Sequence, residues 1–194
     1  MHNLMMKVAR FMAVVGGLVL SALIALTCLS IAGRLLNGFF HSGLMQSIAP
    51  GLSRTFLDWG VGPINGDFEL VEAGVAFAIF AFLPLCQITS GHASVDVLAN
   101  ALPRAVNRFL RLVIEVIFAA VLVLIAVKLF DGMLSKKNYG ETSFLLQFPV
   151  WWAYAASFVG AAVAALVGIY MAGVRIAEFL TGRIQVWDGV ETDQ

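Results

Sequence analysis

Residues 11–32 read FMAVVGGLVLSALIALTCLSIA, 22 residues without one charged side chain. A helix needs roughly 20 predominantly apolar residues, at about 1.5 Å rise each, to cross a hydrocarbon core of about 30 Å. This stretch is long enough, and three more apolar stretches follow near residues 70–88, 112–130 and 149–172 of the 194-residue chain. The pattern predicts an all-α integral membrane protein. Its four transmembrane helices would form one domain over residues 1–175, with 176–194 as a cytoplasmic tail.

Composition agrees. Hydrophobic residues make up 60% and charged residues 12%, with a mean hydropathy of +0.91, whereas soluble domains are about a quarter charged. The connections, one of about 35 residues and two of about 20, leave no room for an extramembrane catalytic domain. Lys7 and Arg10 ahead of the first stretch, and Ser30-Ile31-Ala32 at its end, loosely resemble a signal peptide. Signal cores run to about 7–15 residues, so the longer stretch is read as a retained first span.

Orientation follows from Lys and Arg, which stay on the cytoplasmic side. Lys7, Arg10, Arg104, Arg108, Arg111, Arg175 and Arg183 flank one side of the four spans; Arg34, Arg54, Lys136 and Lys137 flank the other. Both termini are expected in the cytoplasm. The net charge of zero gives no field that would favour nucleic acid. Cys28 and Cys86 lie within spans, without a CxxC spacing, and read as small apolar fillers.

Two connections carry amphipathic stripes. Leu52, Phe56 and Trp59 predict an interfacial helix over 52–59, ended by Gly60 and Pro63. Val95, Leu98 and Leu102 predict a second over 94–102, stopped by Pro103. Ser135–Ser143 reads as an exposed turn, and Phe148, Trp151, Trp152 and Tyr154 as an aromatic belt at the outer interface. Pro84 is expected to kink span two.

Small residues mark packing faces. In span four Ala153, Ser157, Ala161 and Ala165 recur every fourth position, beside Gly160, Ala164, Gly168 and Ala172, so another backbone would approach closely there. Gly17, Ser21 and Ala25 form a shorter stripe in span one. Span three is bulky and suits lipid contact or an apolar seam.

Charge within a span costs about 2.5–3.5 kcal/mol on insertion scales, so its few instances are informative. Glu69 and Glu72 stand at the outer start of span two, Glu115 about one turn into span three, and Lys128 and Asp131 near its outer end. Arg111 with Glu115, and Lys128 with Asp131, are spaced to pair on one helix face; the other reading reserves such charges for a second subunit. His2, His41 and His92 lie outside the spans, which disfavours haem ligation. No HExxH or HxxEH spacing marks a metal enzyme, so neither catalysis nor a cofactor is expected.

The most specific pattern is residues 66–103, GDFELVEAGVAFAIFAFLPLCQITSGHASVDVLANALP. Its acidic start, apolar span, Gly91-His92, Val95-Asp96 and terminal Leu102-Pro103 resemble the small permease (Q) subunit of tripartite ATP-independent periplasmic transporters. A second block agrees: Gly140-Glu141-Thr142-Ser143, Leu146-Gln147-Phe148-Pro149 and Trp151-Trp152-Ala153-Tyr154 look like that family's approach to its fourth span. The resemblance covers about residues 8–175. The first connection, near 35–68, is longer than the short loop of compact members.

The resemblance implies a subunit without chemistry of its own. It would brace a large multi-span carrier (M) subunit for sodium-coupled uptake of organic acids, and help dock a periplasmic substrate-binding (P) protein. Within the matched motif, Ser94 would be an N-cap, and His92 and Asp96 would cap the cytoplasmic end of span two and its surface helix. Glu72, Glu115, Ser157, Gly160, Ala161, Ala164 and Gly168 are the other structural or partner-interface candidates. Lys136, Lys137 and Glu141 are the candidates for docking the P protein, and lipids complete the expected partners. The alternative is a membrane anchor for a quinone-linked respiratory dehydrogenase, which would require haem ligands or a quinone pocket.

Overall fold

The computed structural model describes residues 2–89 and 104–181. Six helices appear among them: α1 (His2–Phe40), α2 (Gly43–Ile48), α3 (Pro50–Asp58), α4 (Asp67–Ile88), α5 (Arg104–Tyr139) and α6 (Trp151–Thr181). Four of these, α1, α4, α5 and α6, are long and apolar enough to cross a membrane. The all-α membrane architecture expected from the sequence is present. "Outer" below means the end bearing the connections 41–66 and 140–150, and "inner" the other.

The four long helices form a row. α1 packs on α4, α4 on α6 and α6 on α5, while α1 touches α6 only slightly. At the inner end Ala9, Ile88, Val167 and Met171 join α1, α4 and α6 in one buried cluster, and the His2 and Tyr170 rings lie 6.2 Å apart. Both ends of the described chain therefore emerge on the same side.

The small residues of α6 explain why it is central. A Cβ at Gly160 would lie 3.0 Å from the Phe80 carbonyl carbon on α4, and one at Gly168 would lie 3.4 Å from the Ala119 Cα on α5. Ala161, Ala164 and Ala165 are buried between those contacts, and Ser157 is buried just outward of them. The span-four stripes thus serve two neighbours within this chain. In α1 the close approach is made by Gly16, where a Cβ would lie 2.9 Å from that of Ala81, while nothing stands within 4 Å of Gly17. Gly17 is half-buried, and Ser21 and Ala25 are exposed. Adjacent positions on a helix point about 100° apart, so the stripe Gly17-Ser21-Ala25 faces away from the row.

Three local expectations change. Ser135–Tyr139 is not a turn but the last turn of α5, where Lys136 and Lys137 complement the helix dipole. The turn begins at Gly140, whose φ of 63° lets the Gly140 N–H reach Lys137 O and the Glu141 N–H reach Lys136 O, as in a Schellman motif. The first connection contains two helices, because Ser42 caps α2 by accepting from Met45 N–H. Arg34, placed in that connection by its charge, lies within α1. Pro84 is buried inside α4, whose helix runs through it. It removes the donor for the Phe80 carbonyl, the turn against which Gly160 rests.

α3 ends at Gly60 as expected, with Gly60 N–H on Leu57 O and Val61 N–H on Phe56 O. Phe56 stacks on Phe40 at 5.0 Å, and the Ser53 hydroxyl donates to Phe40 O at 2.7 Å. Leu52 and Trp59 point away from the protein, where an interfacial helix would meet lipid. The stretch 94–102 expected as the second interfacial helix lies outside the described residues.

Candidate functional site

Buried polar groups tie the row together at both ends. At the outer end Ser30, fully buried, donates its hydroxyl to Asp67 Oδ2 at 2.5 Å and accepts from Ile64 N–H at 3.3 Å. Arg34 stands 4.0 Å from the same carboxylate oxygen and over the Phe68 ring at 5.9 Å. One turn further, Asn37 Nδ2 donates to Val61 O at 2.9 Å. The outer third of α1 thereby holds the segment leading into α4. At the inner end Gln87 Nε2 donates to Glu115 Oε2 at 2.5 Å, with both side chains buried. Arg175 and Glu178 form a buried pair at 2.8 Å on α6.

Sequence reasoning did not find Ser30, Asp67 or Gln87 as structural groups. The partners are 37 and 28 positions apart, and no local periodicity links them. Gln87 gave a usable signal: an amide in the last turn of an apolar span demands a partner. Glu115, a candidate for pairing with Arg111 or for a second subunit, accepts a hydrogen bond from Gln87 on α4. Lys128 and Asp131 do pair, at 3.6 Å.

Toward the outer end a cleft of about 530 Å3 opens among α4, α5 and α6. Its walls are mostly apolar, with Ala76, Phe80 and Leu129 among them; Ser157 and Tyr154 line the α6 side, and Glu69 and Glu72 bring carboxylates to it. Glu72 is exposed there. Residues 140–150 cover the outer end as a short hairpin with an isolated bridge between Thr142 and Pro149. Ser143 N–H bonds Phe148 O at 2.9 Å and Val150 N–H bonds Glu141 O at 3.0 Å. Gln147, at φ 55°, turns the tip and donates to Phe144 O at 2.8 Å.

Glu69 grips that tip. Its two carboxylate oxygens accept the Leu145 and Leu146 N–H groups at 2.6 and 2.9 Å, a charge-assisted bidentate arrangement. Leu146 also packs against Gly66, where an added Cβ would lie 2.4 Å from Leu146 Cγ. Phe144 is left 87% exposed.

Two of the three docking candidates meet each other. Lys136 Nζ lies 2.6 Å from Glu141 Oε2, and Lys137 Nζ stands over the Trp151 ring at 5.5 Å. His92, Ser94 and Asp96 lie outside the described residues. Among the described residues no three His, Cys, Asp or Glu side chains come together as metal ligands would. What the arrangement supplies is rigid attachment: helices locked at their ends, a clamped outer hairpin, and broad apolar faces on the flanking helices.

Residues 44–178 match the family described as tripartite ATP-independent periplasmic transporters, DctQ component. No curated protein and no solved structure matches the chain.

Proposed function

Because the chain belongs to the DctQ component family of tripartite ATP-independent periplasmic transporters, we propose that it is the subunit that braces the large carrier (M) subunit. It does so during sodium-coupled uptake of an organic acid and adds to the surface on which the periplasmic binding (P) protein docks. The family is one of transporter components rather than enzymes, and the family match over residues 44–178 carries the reading. The packing supports it: the small residues of α6 are used within the chain, while α1 and α5 keep wide apolar faces. The proposed setting is the bacterial inner membrane with both termini cytoplasmic.

The primary test is affinity purification of this chain from its native membrane in mild detergent, followed by identification of stoichiometric partners. A large multi-span permease is expected. Flavin or iron–sulfur dehydrogenase subunits in its place would overturn the proposal. Two finer roles have their own tests. Asp96→Lys weakens assembly if Asp96 caps the inner surface helix; undiminished assembly dismisses that role. Reversing Lys136 and Lys137 together to Glu lowers uptake at limiting binding protein if the outer hairpin base takes part in docking, and unaltered uptake removes them from it.

A further inference from the structure

Lys128 and Asp131 sit about two to three turns below the outer end of α5. α5 and α6 run antiparallel in one register: Lys137 lies over Trp151, Tyr154 fills the space at Gly132, Phe130 meets Phe158 at 5.3 Å and Ala119 lies against Gly168. Along α5, at about 1.5 Å per residue, Asp131 is therefore roughly 9 Å and Lys128 roughly 13 Å beneath the level of Trp151. If the tryptophans mark the membrane interface, both charges lie at hydrocarbon depth. Yet the Lys128 and Asp131 side chains are 72% and 58% exposed.

Lipid does not satisfy this arrangement. A lysine reaches several ångströms toward the interface along its flexible stem, but an aspartate has no such reach. An ion pair open to hydrocarbon is costly, and intramembrane charges are found facing protein or water. The same face continues inward as Leu124, Val121, Ile117, Ile114 and Leu110, all exposed. Their spacing alternates three and four residues from Leu110 to Asp131, the periodicity of a helix–helix seam.

We infer that this face of α5 seats a membrane-spanning helix of a larger partner subunit, apolar opposite Ile117 to Leu124 and bearing hydrogen-bonding or charged side chains opposite Lys128 and Asp131. The inference deepens the scaffold reading and depends on it for the partner's identity as the carrier, but not for the existence of the seam.

A photoreactive amino acid placed at Ile117 or Leu124, activated in the intact complex in native membranes, is expected to cross-link a larger membrane protein. The K128L/D131L variant, more apolar than the natural chain and so no harder to insert, is expected to keep its helical melting profile. It should nonetheless recover about sevenfold less partner, as fits the loss of two interhelical hydrogen bonds. Cross-links confined to lipid or to a second copy of this chain, or undiminished partner recovery by K128L/D131L, overturn the inference. A cross-link to a large membrane protein other than a carrier upholds the seam and sinks the transporter reading, so the two fail separately.

Discussion

At Gly160 a single added methyl group would lie 2.9 Å from Phe80 Cβ and 3.0 Å from the Phe80 carbonyl carbon. Backbone cannot yield as a flexible side chain does, so Gly160→Leu must separate α4 from α6. The expected cost is about 1–3 kcal/mol, the range for overpacked cores, and should appear as a lower melting temperature of the detergent-solubilised chain. Gly17→Leu is the matched control: nothing stands within 4 Å of that position, and its melting temperature should be unchanged. Gly160 was visible in the sequence as part of a four-residue repeat. Which of the neighbours Gly16 and Gly17 makes contact was not visible, because composition is the same at both and only the rotation of α1 against α4 decides it. Glu69 tells the same story. It reads as one of two acids at a helix start, and its grip on Leu145 and Leu146 depends on a hairpin 76 positions away. Glu69→Ala should speed amide hydrogen exchange at Leu145 and Leu146 while leaving the α6 core protected.

Among elements, the inner junction of α4 and α5 is bridged by the Gln87–Glu115 hydrogen bond. A double-mutant cycle on Gln87→Leu and Glu115→Leu should give a coupling free energy of about 0.6–1.7 kcal/mol, the range measured for hydrogen bonds between membrane helices. Unfolding in denaturing detergent is a suitable readout, and zero coupling would show that the bond contributes nothing. The four long helices were legible because hydropathy responds to the bilayer's thickness, which is fixed. Their ends were less so. α5 continues through Ser135–Tyr139 because serine, lysine and asparagine tolerate a helix terminus even where the bilayer no longer requires one, and the signal that stops it is Gly140. α2 was missed because six residues are too few for a periodicity to register.

At the scale of the molecule, the order α1, α4, α6, α5 means that the described helices close no ring around an interior. Such an arrangement presents two broad sides and two edges, and the edges are the first and third spans. The α5 edge carries the Lys128–Asp131 ion pair, so partner recovery should be more sensitive to K128L/D131L than to an apolar exchange on the exposed side of α1 such as Leu18→Ala. Comparing the two variants in one co-purification checks this. The row also has a mechanical consequence. α1 is held mainly by one neighbour, whereas α6 is gripped on both sides. A cantilever pulling on the N-terminus should peel the chain away in successive low-force steps beginning with α1. Pulling from the C-terminus must shear two interfaces at once and should give one tall rupture peak, so the fold is weak to traction in one direction and strong in the other.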